Sequence, residues 1–257
     1  MNKEIKAAMN AAIAAGKFIK SRKGKHKSIR YKGDINIVTD VDEKAEELIV
    51  RSLKKSFPEY GILAEERPAE EKSSGRWIID PIDGTTNFAH SFPFFTVSIA
   101  LEREAEVILG VVYDPMHEEL FTVRKGKGSY LNGKRIFVSQ ERSLSKAFLA
   151  TGFSYGFREH KDNNISNFEK FLNVSLAVRR AGAASLDLCY VACGRFDGFW
   201  ESDLCPWDTA AATLLVSEAG GKVTDFIGKK FSNYKTQTLA SNGKIHRQMM
   251  KVLNCCR

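Results

Sequence analysis

Over the first twenty positions Ile5, Ala8, Met9, Ala12, Ile13, Gly16 and Ile19 recur at helical spacing, which predicts an amphipathic helix over residues 3–20. A polar stretch rich in Lys, Arg and Gly runs from Ser21 to Asn36 and reads as a mobile connection. Helical periodicity returns near Asp40, which stands three residues before Glu43 as a capping box requires. Ala45, Leu48, Ile49 and Leu53 form its apolar face, and Pro58 bounds its end. Short strands then take over, at residues 61–64, 77–79, 96–101, 107–113 and 119–124. Asn132-Gly133 predicts a tight hairpin between strands at 129–131 and 135–139. Further on, strands at 148–151, 178–180, 198–201, 223–224 and 238–240 alternate with helices at 163–172, 185–193, 209–219 and 244–253. Antiparallel strands first and mixed α/β units later predict a layered α/β (α+β) sandwich.

The 257 residues suffice for a full core, and no Pro- or Gly-rich linker or internal repeat divides them. One unit over residues 1–257 is expected, made of two packed halves, roughly 1–145 and 146–257. The first six residues carry charges with no apolar run behind them, unlike a signal peptide. The longest charge-free stretch, Gly84 to Leu101, contains Thr85, Thr86, Asn87, His90, Ser91 and Pro93, and makes a poor membrane span. A cytoplasmic protein with no membrane partner is expected. Five cysteines without framework spacing read as free thiols, and Cys189-x-x-x-Cys193 lacks a second ligand pair for zinc. A net charge of +8 permits nucleic acid as a partner, but no nucleic-acid motif accompanies the scattered lysines. Attraction of an anionic small substrate, or plain solvation of the surface, is the preferred explanation.

The chemistry concentrates between Trp77 and Phe88. A buried apolar strand delivers Asp80, Pro81 blocks further pairing, and Asp83 follows three residues later. Gly84, Thr85 and Thr86 have the small, polar character of a helix start. Carboxylates bind hard divalent cations and helix N-terminal amides bind phosphate, so both halves of a phosphoryl-transfer site lie in eight residues. The competing explanation is a capped loop whose aspartates only accept hydrogen bonds. It does not account for the further acidic segments elsewhere in the chain.

Asp80-Pro81-Ile82-Asp83-Gly84-Thr85-Thr86-Asn87 resembles a signature of the inositol monophosphatase family. Pro206-Trp207-Asp208-Thr209-Ala210-Ala211, followed by Glu218-Ala219-Gly220-Gly221, resembles its second signature. Arg179 to Asp187 is similar to its substrate-side segment, and Val38-Thr39-Asp40-Val41-Asp42 and Ala64-Glu65-Glu66 fall where further acidic residues of the family lie. The resemblance covers almost the whole chain.

It implies an αβαβα sandwich of the inositol monophosphatase/fructose-1,6-bisphosphatase type, and Mg²⁺-dependent hydrolysis with two or three ions per site. Glu65, Asp80 and the Ile82 carbonyl would hold one Mg²⁺; Asp80, Asp83 and Asp208 would hold a second. Glu65, Thr85 and Asp42 form the implied catalytic set, with Thr85 and Asp42 orienting the attacking water. Gly84 and Thr85 amides would take the phosphate. Gly182, Ala184, Glu201 and Asp208 would face the rest of the substrate. Glu201 favours a polyol, myo-inositol 1-phosphate first. Arg158, Arg179 and Arg180 keep fructose 1,6-bisphosphate open through a second phosphate. A homodimer and lithium inhibition are also implied. Association with transcription machinery or RNA is the alternative of another class. Glu66, Asp40, Asp187, Asp203 and Lys32 carry weaker claims, as supporting or purely structural groups. The chain departs from the family pattern at Ala64 and Arg67, which flank the paired glutamates, and in its compact loop to Arg76; this bears on metal affinity and substrate breadth.

Overall fold

The computed structural model describes residues 3–24, 29–31, 37–154 and 164–254. Lys32, Arg158, Cys255, Cys256 and most of the 21–36 connection lie outside them. The chain opens with helix α1 (Lys3–Arg22) and two short antiparallel strands, β1 (Ile29–Tyr31) and β2 (Ile37–Thr39), so part of the expected connection is strand. Helix α2 (Asp40–Ser56) follows. A seven-stranded sheet comes next: β3 (Gly61–Ala64), β4 (Arg76–Asp83), β5 (Thr96–Arg103), β6 (Glu106–Asp114), β7 (Glu119–Arg124), β8 (Ser129–Leu131) and β9 (Lys134–Ile136), in that spatial order, with the short helix α3 (Thr85–Ala89) after β4. The second sheet has the order β11-β10-β12-β14-β13, where β10 is Phe148–Thr151, β11 Ala177–Arg179, β12 Gly198–Ser202, β13 Lys222–Thr224 and β14 Gln237–Ser241. Its helices are α4 (Ile165–Val174), α5 (Ala184–Ala192), α6 (Pro206–Glu218) and α7 (His246–Asn254).

Period-two burial builds the layers. Along β5, Val97, Ile99 and Leu101 pack with α1 and α2 through Ala12, Ile19, Ile49 and Leu53. The intervening Ala100 joins the core made by α5 and α6, through Leu186, Ala211 and Leu215. Both faces of the sheet are covered, so its strands read as near-continuous apolar runs. On the far face of the second sheet, α4 and α7 enclose Leu149, Trp200 and Leu239, with Phe171 stacked on Trp200 at 3.9 Å. The order is therefore αβαβα.

Three local expectations are corrected. The α2 cap is Thr39 with Asp42, not Asp40 with Glu43: Thr39 Oγ1 accepts from the Val41 N–H, and Asp42 returns a bond to the Thr39 N–H. The phase of α2 leaves Leu48 45% exposed and turns Glu46 and Val50 inward. Pro81 does not end β4. Asp80 pairs with Ser98 and Asp83 with Thr96, with an irregularity between them.

Candidate active site

That irregularity determines which way the two aspartates point. Residues three apart on a regular strand face opposite sides. Here Pro81 and Ile82 stand against the single residue Val97, a β-bulge, so Asp80 and Asp83 oppose residues two apart on β5 and share a face. Asp80 Oδ1 accepts the Ile82 N–H at 2.9 Å, which fixes the bulge. The chain then turns at Gly84, whose φ of +92° suits glycine and whose Cβ, if present, would lie 3.0 Å from the Phe94 carbonyl.

Asp208 arrives from the layer between the sheets. It stands at the third position of α6, which starts at Pro206 rather than 209, so it is not the residue ahead of the helix. Its Oδ2 accepts the Cys205 N–H at 2.7 Å and closes the helix start. Ligand atoms of Asp80, Asp83 and Asp208 converge within 4.8 Å of one another. Burial, then the charges of Glu65, Asp83 and Asp208, push the Asp80 carboxyl well above the usual range. Asp208 is pushed well up by burial and then by Asp83 and Glu65. Burial lifts Asp83 to about 6 against the opposing bonds from Ser185 and the start of α5. Crowded, all-oxygen anionic donors of this kind fit a hard divalent cation, whose charge relieves the repulsion.

Asp83 is also anchored from behind. Its Oδ2 accepts both the Ser185 N–H at 2.7 Å and the Ser185 hydroxyl at 2.5 Å, and Ser185 Oγ lies 2.6 Å from Thr96 Oγ1. Thr85 Oγ1 stands 2.9 Å from Asp42 Oδ1 and 3.0 Å from the Ile82 carbonyl. Both neighbours are acceptors, so the Thr85 hydrogen points at them and its oxygen lone pairs face away. Asp42 is fully buried, and burial raises its carboxyl while Thr39 and Thr85 oppose the shift.

A cleft of about 450 Å³ opens beside the cluster and is lined by Glu65, Gly84, Gly182, Ala184, Glu201 and Asp208 together with Asp83. Asn87 ties its floor together, donating to the carbonyls of Phe94 at 2.7 Å and Ala181 at 2.8 Å. Glu201 needs Gly152 as its neighbour, since a Cβ there would fall 2.2 Å from Glu201 Oε1. Asp187, Asp203 and Arg180 line the same cleft. Burial and then the charge of Glu201 push the Asp187 carboxyl well above the usual range, and burial followed by the charges of Asp208 and Asp83 does the same to Glu201. Arg179 instead lies over the Phe148 ring at 4.8 Å, in an aromatic basin that Arg180 borders too. Asp40 pairs with Lys44 at 3.2 Å, and the Glu66 N–H donates to Glu46. Glu46 and Gly152 escaped the sequence analysis, and Ser185, read there only as part of the 179–187 segment and of a helix, anchors Asp83. Cys189, Cys193 and Cys205 form no disulfide, and Cys189 is a buried packing residue.

Residues 1–257 match the model of the inositol monophosphatase family. The chain is 40% identical over 249 residues to an inositol-1-monophosphatase of Mesorhizobium japonicum, covering 95% of this chain and 94% of that one. It is 43% identical over 237 residues to the Nus factor SuhB of Pseudomonas aeruginosa, covering 88% and 86%. Among solved structures, the extragenic suppressor protein SuhB of Bartonella henselae superposes with a TM-score of 0.92 at 38% identity, covering 98% of each chain. An inositol monophosphatase from Anabaena gives 0.89 at 39% identity, covering 97% of this chain and 94% of that one.

Proposed function

The chain belongs to the inositol monophosphatase family and is a phosphatase, and from that premise we propose that it hydrolyses the phosphate monoester of a small polyol, myo-inositol 1-phosphate first, with Mg²⁺. The observation that carries the proposal is the convergence of Asp80, Asp83 and Asp208 within 4.8 Å beside a cleft walled by Glu201. Asp80, Asp83 and Asp208, with Glu65 and the Ile82 carbonyl, are the residues that would hold the cations. Bound Mg²⁺ supplies charge neutralisation at the phosphate and a more acidic water.

The protein's own groups do the remaining work. Asp42 Oδ1 takes the Thr85 hydrogen and leaves the Thr85 oxygen as an acceptor, so this pair orients the attacking water and receives its proton. Gly84 lines the cleft, and its amide, together with that of Thr85, would hold phosphate oxygens. Glu201 accepts hydrogen bonds from substrate hydroxyls, and Gly182 and Ala184 leave space for the ring. No covalent phosphoenzyme is needed.

The test is phosphate release from inositol 1-phosphate, fructose 1,6-bisphosphate and adenosine 3′,5′-bisphosphate, with and without Mg²⁺. Release that requires Mg²⁺ and ranks inositol 1-phosphate first is expected; no release from any of the three would overturn the proposal. A second reading, association with transcription machinery, is favoured by the 43% identity to a Nus factor. Asp83→Asn separates the two: hydrolysis should fall by at least about a hundredfold, while a surface-mediated association with transcription complexes should survive in a pull-down.

A further inference from the structure

Glu65 lies at the end of β3, where the chain leaves the sheet, and the residues after it are held by a buried carboxylate of another element. Glu46 is 1% exposed on α2. Its Oε2 accepts the Glu66 N–H at 2.8 Å and its Oε1 accepts Arg67 Nε at 2.7 Å. Both oxygens of one carboxylate are thus spent on the two residues that follow Glu65. The loop is pinned again further on, where Glu70 and Ile62 exchange backbone bonds of 2.7 and 2.8 Å and the Gly61 N–H reaches the Gly75 carbonyl at 2.8 Å. Asp42, one helical turn before Glu46 and also buried, holds Thr85. Two inward carboxylates four residues apart on one helix face therefore brace two different walls of the site.

We infer that the Glu46–Arg67 pair is a clasp that sets the position of Glu65, and that Arg67 and Glu46 are positioning residues for cation binding. The inference rests on the reading of Glu65 as a cation ligand. A buried carboxylate with a backbone N–H and a guanidinium as partners is a fixed anchor, because loss of either partner leaves charge unpaired in the interior. Groups that fix the placement of a ligand tune metal affinity substantially, and here they act through the two residues that follow Glu65.

Arg67 makes the inference separable from simple electrostatics. Removing a positive charge near a cation site would by Coulomb's law alone tighten cation binding. Removing a positioning residue weakens it. The experiment is titration calorimetry of the full chain with Mg²⁺, and Mn²⁺ binding by electron paramagnetic resonance, for Arg67→Ala, Arg67→Lys, Glu46→Gln and Glu65→Gln, with melting temperatures measured alongside. Arg67→Ala should weaken cation binding by about tenfold, with Arg67→Lys in between because an ammonium cannot reproduce the Nε geometry. Arg67→Lys keeps a cation beside the buried Glu46 carboxylate and, with Arg67 itself one-third exposed, should fold even if Arg67→Ala or Glu46→Gln does not. Unchanged or tighter binding in Arg67→Ala, while Glu65→Gln binds weakly, would overturn the clasp. Normal binding in Glu65→Gln would overturn the reading of Glu65, and the clasp with it.

Discussion

Asp42 spends its two oxygens on different tasks: Oδ2 closes the cap at Thr39 and Oδ1 takes the Thr85 hydroxyl. The carboxylates of the site share this economy, since Asp83 caps α5 and Asp208 closes the start of α6. Asp80, Asp83 and Asp208 all sit above their ordinary values because burial disfavours their charged forms, reinforced at Asp80 and Asp208 by the neighbouring carboxylates. A cation reverses that, so Mg²⁺ binding should release protons and stabilise the fold. Calorimetry in buffers of different ionisation enthalpy should show proton release, and saturating Mg²⁺ should raise the melting temperature relative to excess chelator. Asp80 and Asp83 were legible in the sequence because Asp80-Pro81-Ile82-Asp83-Gly84 puts two acids and a turn residue at the end of an apolar strand. Glu46 was not: a glutamate on a charged helix looks solvated until the helix phase is known, and that phase is the one Leu48 misled.

At the scale of elements, the position of Asp208 depends on how closely α6 approaches the seven-stranded sheet. Gly110 of β6 makes that approach possible, for a Cβ there would lie 2.8 Å from Ala211 Cα and 3.0 Å from Ala211 Cβ. Gly110→Ala should therefore cost about 1–3 kcal/mol through overpacking, read by denaturant unfolding, and should lower phosphatase activity measured where the variant remains folded. The existence and type of most elements followed from period and turn chemistry, as at Asn132-Gly133, where both residues adopt positive φ, but the short strands β1 and β2 did not. Boundaries followed less well. Pro206 suits the first turn of a helix, yet the expected start fell at 209. The bulge in β4 lay beyond reach of strand patterning, because it is defined by what faces it on β5.

For the whole molecule, the layered α/β class was readable from the succession of strands and helices, whereas the docking of the layers depends on contacts far apart in sequence. His246 reports on that docking. It is 2% exposed and lies between the hydroxyls of Thr224 at 2.9 Å and Ser241 at 2.8 Å. Burial, and then Lys222, hold it down at about 4 against an ordinary 6.5. Between those values the unfolded chain binds a proton that the folded one refuses, so this contribution to stability is present at neutral pH and is lost as pH falls from 6.5 toward 4. Chemical denaturation at a series of pH values should give a shallower acid-side loss for His246→Gln than for the unaltered chain; parallel profiles would refute the assignment. A last consequence follows from the meeting of Asp80 and Asp83 with Asp208, more than 120 positions downstream. During synthesis the first sheet is complete long before Asp208 leaves the ribosome. Every nascent chain should therefore be silent toward phosphate esters until Asp208 has emerged, a delay built into the order of the letters.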